Sequence, residues 1–293
     1  MLTALLIAFT SQMEPPGLIG HAAVRVGSSV FVVGGWCDKP RGNSDLTWRY
    51  DLSAKTWSQS TRMPNARVFI GAAILQGKVY VTGGIDPDSV QSNRIDVYDP
   101  AKDRWESGTA LPEAKTRHCL VAWKGYLYAI GGFNGKTDRR ATNSARVDRF
   151  DPHAKKWQAM PELNVARHGS GVAILHGRIF VVGGFGATDG AGKIVESWAP
   201  GETKWRIEPG LPEEKGFLEV ASYKDQLFAI GGGRYSHSVL RFDGKTWQAC
   251  SGTSWPSRRS ASVQIGEQLL VFGGEPDQKP FLKSILLSDY LKP

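Results

Sequence analysis

The chain has 293 residues, of which 41% are hydrophobic and 22% charged, so it can bury a sizeable core. No apolar stretch approaches the roughly 20 residues that a membrane-spanning helix requires. Lys and Arg outnumber Asp and Glu by 36 to 28, and the net charge of +8 favours anionic partners. No basic run exceeds three residues, which argues against a dedicated nucleic-acid surface.

The first residues, MLTALLIAFTSQ, are apolar like the core of a signal peptide, but they lack a basic n-region and an A-x-A-like cleavage site. The three cysteines, Cys37, Cys119 and Cys250, are far apart and show no CxxC spacing, which argues against a disulfide framework and favours reducing surroundings. We therefore expect a cytoplasmic protein. If residues 1–12 are the remnant of a signal peptide, the alternative is a secreted or periplasmic protein.

Six apolar runs along the chain each end at two adjacent glycines. The pairs are Gly34-Gly35, Gly83-Gly84, Gly131-Gly132, Gly183-Gly184, Gly231-Gly232 and Gly273-Gly274. Their first glycines are separated by 49, 48, 52, 48 and 42 residues. A phosphate-binding loop would occur once and open into a helix, whereas recurrence at this period is typical of a repeat array. The pairs are therefore predicted to be structural.

Each repeat predicts four strands. The second strand, such as RIFVV before Gly183, is apolar on both faces, as expected for a strand covered on both sides. The third strand ends in an aromatic residue and a tryptophan follows after a turn such as DPAKDR, which predicts a hairpin. The aromatic residues and tryptophans are Tyr50 and Trp57, Tyr98 and Trp105, Phe150 and Trp157, Trp198 and Trp205, and Phe242 and Trp247. We expect the glycine pairs to make room for this aromatic packing.

The order glycine pair, Tyr-Asp-Pro and Trp resembles the kelch repeat, as in GGIDPDSVQSNRIDVYDPAKDRW and GGFNGKTDRRATNSARVDRFDPHAKKW. The resemblance covers essentially the whole chain. It implies an all-β, six-bladed β-propeller with four antiparallel strands per blade, formed by residues 1–293 as a single domain. Only 19 residues follow Gly274, too few for two strands. We therefore expect the N-terminal segment to supply the outer strand of the last blade and to close the ring.

In kelch propellers the first strand of each blade lines the central channel, and the loops that enter it share one face with those that leave the glycine pair. Counting from the pairs places cations and aromatic rings there, suited to an acidic ligand. The candidate ligand-binding residues are Trp36, Arg67, Lys115, Arg117, Phe133, Arg167, Phe185, Lys215 and Arg259. The alternative is that the cations only solvate loops or pair with Asp38, Asp86 and Glu275.

Twelve residues before each pair stands a small residue, except at Glu219 in the fifth repeat. A carboxylate in a channel can act as a general base, although an internal ion pair is the favoured interpretation. Bacterial sialic-acid mutarotases resemble this architecture and use a channel Glu and Arg on an anionic sugar. The resemblance implies an alternative function in which Glu219, with Arg167 or Arg259, is catalytic.

The histidines His21, His118, His168 and His237 are candidates for a metal site, but the chain has no HxH or HExxH spacing. We expect no metal and no cofactor. Six-bladed kelch propellers commonly recognise proteins. The sequence therefore predicts a monomeric, non-catalytic binding module whose partner at the channel mouth is a protein or acidic peptide, with an anionic carbohydrate as the alternative.

Overall fold

The computed structural model describes residues 13–134, 142–232, 238–254, 258–275 and 282–291, with the backbone alone for 251–254. The predicted N-terminal outer strand, within residues 1–12, lies outside the described residues. The same holds for His237.

The described residues form nine antiparallel sheets, and the six that are the blades are numbered here 1 to 6 in chain order. Blade 1 consists of the strands Ala22–Val26, Ser29–Val33, Thr47–Asp51 and Thr56–Ser60. Blade 2 consists of Gly71–Leu75, Lys78–Thr82, Ile95–Asp99 and Arg104–Ser107. Blade 3 consists of Cys119–Trp123, Tyr126–Ile130, Val147–Asp151 and Lys156–Met160. Blade 4 consists of Gly171–Leu175, Arg178–Val182, Val195–Trp198 and Arg206–Glu208. Blade 5 consists of Glu219–Tyr223, Gln226–Ile230, Ser238–Phe242 and Trp247–Ser254. The described strands of blade 6 are Ala261–Ile265, Gln268–Phe272 and Leu282–Leu286.

Short strands lie before the first strand or after the glycine pair in blades 1, 3 and 4. They are Leu18–Ile19, Trp36–Asp38 and Arg41–Asn43 in blade 1, Phe133–Asn134 and Thr142–Asn143 in blade 3, and Arg167–His168 and Phe185–Gly186 in blade 4. Single bridges join the residue after the glycine pair to the segment before the first strand in blades 2, 3 and 6: Val68 with Ile85, Thr116 with Phe133 and Arg258 with Glu275. Two 3₁₀ turns, Ala191–Lys193 and Leu287–Leu291, are the helical elements of the described residues.

The first strands of the six blades form a closed cycle, because each lies against the first strands of both neighbouring blades and that of blade 6 lies against that of blade 1. The predicted all-β kelch-type propeller is thereby confirmed. Apolar side chains of facing sheets fill the space between blades. Phe31 and Val33 of blade 1, for example, share one buried cluster with Val81, Tyr98 and Trp105 of blade 2.

The tryptophans connect neighbouring blades at their outer edges. In the predicted third-to-fourth-strand hairpins, Trp105 lies directly opposite Tyr98. Its indole Nε1–H donates to the carbonyl of Thr61 in the preceding blade at 2.8 Å, and the indole of Trp157 donates to Thr109 at 3.1 Å. The predicted packing role of the tryptophans follows from these contacts.

The glycine pairs make room for the backbone rather than for the aromatic rings, which corrects the expectation from sequence. Gly83 has a φ of +61°, and a Cβ on it would lie 2.3 Å from the carbonyl oxygen of Lys115 in the next blade. The following residue, Gly84, donates its N–H to that same carbonyl at 2.9 Å. Any side chain would prevent this hydrogen bond between blades, so both positions require glycine.

Four of the predicted ligand-binding cations, Arg67, Lys115, Arg167 and Lys215, are at most 1% exposed. Their carbonyls accept the N–H groups of Gly35, Gly84, Gly132 and Gly184 in the preceding blades. The structure thus places these four residues at the junctions between blades, away from the channel. The entering segment turns their side chains into the sheet of their own blade.

Each of these cations is neutralised inside its own blade. Arg67 pairs with Asp96. Lys115 lies 3.5 Å from Asp148 and 3.4 Å from Glu113, Arg167 lies 2.9 Å from Glu196, and Lys215 lies 3.0 Å from Glu213. Asp96, Asp148 and Glu196 are themselves fully buried, and removing the acid that pairs with Arg67 or Arg167 would leave an uncompensated charge in the interior.

We expect Arg167→Met to lower the free energy of unfolding by about 3–5 kcal/mol, because it leaves the buried carboxylate of Glu196 without its cationic partner. The control Arg62→Met removes an exposed ion pair with Asp45 and should cost less than about 1 kcal/mol. Adding Glu196→Gln to Arg167→Met should recover part of the loss. Denaturant unfolding of the three variants measures this, and equal midpoints for Arg167→Met and Arg62→Met would contradict the assignment.

Candidate functional site

Six residues, one per blade, surround the propeller axis at the end of the channel where the glycine pairs lie. We call them the mouth ring: Gly20, Phe69, Arg117, Gly169, Phe217 and Arg259. All six have left-handed backbone conformations, with φ between +54° and +64°. For the four non-glycine residues this conformation is costly and persists only when the surroundings impose it.

A closed circuit of backbone hydrogen bonds imposes that conformation. The N–H of each mouth-ring residue donates to the carbonyl of the ring residue in the preceding blade, at 2.7 to 3.3 Å. The circuit closes where Gly20 of blade 1 donates to Arg259 of blade 6 at 3.0 Å. The mouth is therefore a continuous ring of backbone, from which the ring side chains project.

The mouth ring repeats one side-chain order twice: Gly, Phe, Arg in blades 1 to 3 and again in blades 4 to 6. The rings of Phe69 and Phe217 come from opposite blades and stack with centroids 6.0 Å apart. Each covers the preceding glycine, because a Cβ on Gly20 would lie 2.6 Å from the Phe69 ring and one on Gly169 would lie 3.0 Å from the Phe217 ring. The entrance thus has an approximate two-fold symmetry.

Each arginine of the ring packs on the phenylalanine before it. The guanidinium carbon of Arg117 lies 4.5 Å from the centroid of Phe69, and that of Arg259 lies 5.0 Å from that of Phe217. Arg259 also lies 5.6 Å from Phe69, so both cations border the same aromatic ring. Such cation–π contacts hold the guanidinium plane in place while leaving its N–H groups able to bind an anion.

Arg117 has no acidic partner among the described residues. Its Nε is buried without a hydrogen-bond partner in that part of the chain. Partial burial, and then the positive charge of Arg259, lower the pKa of Arg117 from its usual value. Both causes disfavour the charged guanidinium, and an anion bound at this place would offset them by Coulomb attraction.

Aromatic groups of blades 3 and 4 extend the Arg117 side of the mouth. Phe133 lies 5.6 Å from the Arg117 guanidinium and 5.1 Å from the ring of His168, which in turn lies 5.6 Å from Phe185. Phe185 is 41% exposed and packs on Phe217. These rings offer rigid apolar contact area beside the cation.

A cavity of about 280 Å³ lies along the axis, lined by the mouth ring and by the three residues that follow it in each blade. Glu219 is the carboxylate in this lining. It accepts hydrogen bonds from the hydroxyls of Ser262 at 2.5 Å and Ser260 at 3.1 Å. It makes no ion pair with a described residue, so the favoured expectation of an internal ion pair does not hold there. Burial raises the pKa of Glu219 to about 6, and the two hydroxyls oppose this rise.

The predicted site residues are therefore only partly brought together. Arg117 and Arg259 line the mouth, and Phe133 and Phe185 border it. Trp36 pairs with Ile19 in the short strands of blade 1 and is not part of the cavity lining. Phe69, Phe217 and the two serines were not predicted as site residues, although Phe69 and Phe217 occupy the same repeat position as Arg117 and Arg259. That shared position was the available signal.

The histidines and cysteines of the described residues do not gather into a metal-binding group. Burial, followed by the charges of Lys115 and Arg67, lowers the pKa of His118 to about 3, and burial lowers those of His21 and His168 to about 4. Burial raises the pKa of the Cys119 thiol, in the cavity lining, to about 12. These imidazoles are neutral and this thiol is protonated at neutral pH.

No helix in the described part of the chain is long and apolar enough to cross a membrane.

Fold and mouth together define a β-propeller with a cationic, aromatic channel entrance. A family model described as the KLHDC2/KLHL20/DRC7 Kelch-repeats domain matches residues 20–232. The chain belongs to the kelch-repeat family.

Relatives and a solved structure agree with this assignment. Kelch-like protein 35 of Mus musculus is 24% identical over 267 residues, which cover 89% of this chain and 44% of that protein. Beta-scruin of Limulus polyphemus is 26% identical over 76% of this chain and 25% of its own length, and Kelch-like protein terF of Aspergillus terreus is 28% identical over 87% and 59%. The chain thus spans less than two thirds of each of these relatives. A solved structure titled "Structure of YjhT" superposes with a TM-score of 0.76 at 18% identity, covering 93% of this chain and 95% of that one, and shows the fold.

Glu219→Gln should remove a pH dependence of stability. Because the pKa of this carboxyl rises from 4.5 to about 6 on folding, the wild-type protein loses stability as the pH increases through this interval. Between pH 4 and pH 7 the free energy of unfolding should therefore shift in favour of the variant by about 2 kcal/mol. Thermal melts across this range measure the shift. Glu14→Gln, at an exposed carboxylate, is the control. If the stability of wild type and of Glu219→Gln depends on pH in the same way, the carboxyl of Glu219 is not buried and unpaired as described.

Proposed function

We propose that this kelch propeller is a non-catalytic binding module that recognises an acidic peptide at its channel mouth, with Arg117 as the anion-binding group. The observation that carries the proposal is the state of Arg117: a guanidinium packed on Phe69 that makes no ion pair within the described residues. A carboxylate can accept two parallel hydrogen bonds from such a group, which adds geometric specificity to charge.

The surroundings of Arg117 favour a peptide over a free anion. Phe133, His168 and Phe185 form a continuous aromatic border on the same side of the mouth. Interface energy concentrates at aromatic and arginine residues that sit together and exclude water. A peptide whose acidic side chain binds Arg117 would place its neighbouring residues on this border.

The enzymatic alternative has less support from the geometry. It requires Glu219 with Arg167 or Arg259, but Arg167 is buried against Glu196 and Arg259 pairs with Glu275 at 2.9 Å. The buried carboxyl of Glu219 is the one feature in its favour. Acceleration of the anomeric exchange of N-acetylneuraminate, abolished by Glu219→Gln and followed by NMR, would establish that alternative against the proposal.

Selection from a displayed library of random heptapeptides tests the proposal. Peptides selected on the wild-type protein should be enriched in Asp or Glu at one position, and Arg117→Gln should weaken their binding at least about tenfold, which is about 1.4 kcal/mol. Arg117→Lys should be intermediate, because it keeps the charge and loses the planar fork. Binding should also weaken with salt.

Arg25→Gln is the matched control, since it removes an exposed arginine that donates to the nearby carbonyl of Gly27. It should leave the affinity unchanged. Selected peptides without acidic enrichment, or equal affinities for Arg117→Gln and Arg25→Gln, would refute the proposed site.

A further inference from the structure

The two arginines of the mouth ring occupy equivalent positions in a nearly two-fold symmetric entrance, yet they have different partners. In blades 1, 2, 3, 4 and 6 the residue directly after the glycine pair is bridged to the residue just before the ring residue. In blade 3 this residue is Phe133, bridged to Thr116; in blade 6 it is Glu275, bridged to Arg258. Phe133 and Glu275 both stand 16 positions after the ring arginine of their blade.

Glu275 neutralises the blade 6 arginine from within the chain. Its Oε1 lies 2.9 Å from Nη1 of Arg259, and its Oε2 accepts a hydrogen bond from Nε of Arg258 at 2.8 Å. Both carboxylate oxygens are therefore used. The carboxylate side chain is 23% exposed and lies where a carboxylate of a ligand would bind Arg259. An intramolecular partner of this kind is present at a high effective concentration and competes with anions from solution.

Phe133 gives the blade 3 arginine the opposite environment. It contributes a ring face 5.6 Å from the Arg117 guanidinium and no acceptor group. The same residue position thus supplies a carboxylate to one arginine and an aromatic surface to the other. Arg117 makes no ion pair with a described residue, whereas the charge of Arg259 is compensated by Glu275 through its Nη1.

We propose that Phe133 and Glu275 determine the specificity of the mouth, so that this nearly symmetric entrance accepts one anionic group, at Arg117, and excludes a second at Arg259. This inference rests on the proposed function and narrows its ligand class. The ligand is a peptide with a single acidic group flanked by apolar side chains, because the aromatic border of Phe133, His168 and Phe185 lies on the Arg117 side. A densely acidic tract does not fit this arrangement.

Exchange of the two residues provides the test. Nε–Hε signals of ¹⁵N-labelled protein are followed by NMR during titration with propionate, which carries the single carboxylate of a Glu side chain, and Arg117→Lys and Arg259→Lys assign the two signals. In the wild-type protein the Arg117 signal should shift to saturation, and the apparent dissociation constant at Arg259 should be at least about tenfold weaker. In Glu275→Gln and Glu275→Phe both signals should respond, with constants within about threefold of each other. Phe133→Glu should suppress the response of Arg117.

The outcomes separate this inference from the proposed function. If Arg117 responds in the wild-type protein but Arg259 stays silent in both Glu275 variants, the inference is overturned while the anion site at Arg117 stands. If Arg259 gains a response in Glu275→Gln while Arg117 never responds, the role of Glu275 is supported and the proposed function fails. Equal responses of both arginines in the wild-type protein also overturn the inference. Glu275→Phe places at this position the residue type that blades 3 and 4 already carry there, Phe133 and Phe185, so its folded state has precedent in the same chain.

Discussion

The closed circuit of six backbone hydrogen bonds around the axis is the constraint on which the rest of the structure depends. It joins every blade to the next at one level, and it holds Phe69, Arg117, Phe217 and Arg259 in a left-handed conformation that these residue types rarely adopt. Because the backbone direction at each ring position is fixed, the side chains are aimed into the mouth and cannot turn back into the sheet. The geometry of the entrance is thus a consequence of ring closure rather than of loop packing.

Two positions away along the same segment, similar cations have a different role. Arg67 precedes Phe69 by two residues, and Arg167 has the same relation to Gly169, yet both are buried and paired with carboxylates of their own blades. Such pairs gain Coulomb energy but lose the hydration of both ions, so an intact pair adds little net stability although removing one partner is costly. Arginine therefore has two roles in the propeller. Some arginines form buried ion pairs inside a blade, and others lie at the channel mouth, two positions further along the entering segment.

The repeat period, the glycine pairs and the hairpins with their tryptophans could be predicted from the sequence, because each depends on local turn chemistry and on a pattern that recurs along the chain. The direction of the side chains that enter each blade could not, since it depends on a left-handed residue held by hydrogen bonds between blades. One signal was nevertheless present. Blades 2, 3 and 4, whose entering segments carry Arg67, Lys115 and Arg167, have an acidic residue in the third strand: Asp96, Asp148 and Glu196. Blade 5 differs, because its buried Lys215 pairs with Glu213 of the entering segment.

Blade 1 supports the value of that signal. It has Leu18 in place of the cation and Trp48 in place of the acid, and these two share one apolar cluster. Comparison of the repeats with one another, rather than each with a general pattern, would have paired these residues before the structure was known. Glu275 differs, because its effect on Arg259 depends on two segments that meet only in the folded propeller.

Amide hydrogen exchange at the mouth ring tests the central claim most directly. If the ring is closed, the amides of Gly20, Phe69, Arg117, Gly169, Phe217 and Arg259 exchange together and as slowly as the amides of the first strands, through global unfolding. If the Gly20 amide, which donates to Arg259, exchanges much faster than the other five, the ring is open between blades 6 and 1. That result would contradict the account of how the entrance is built.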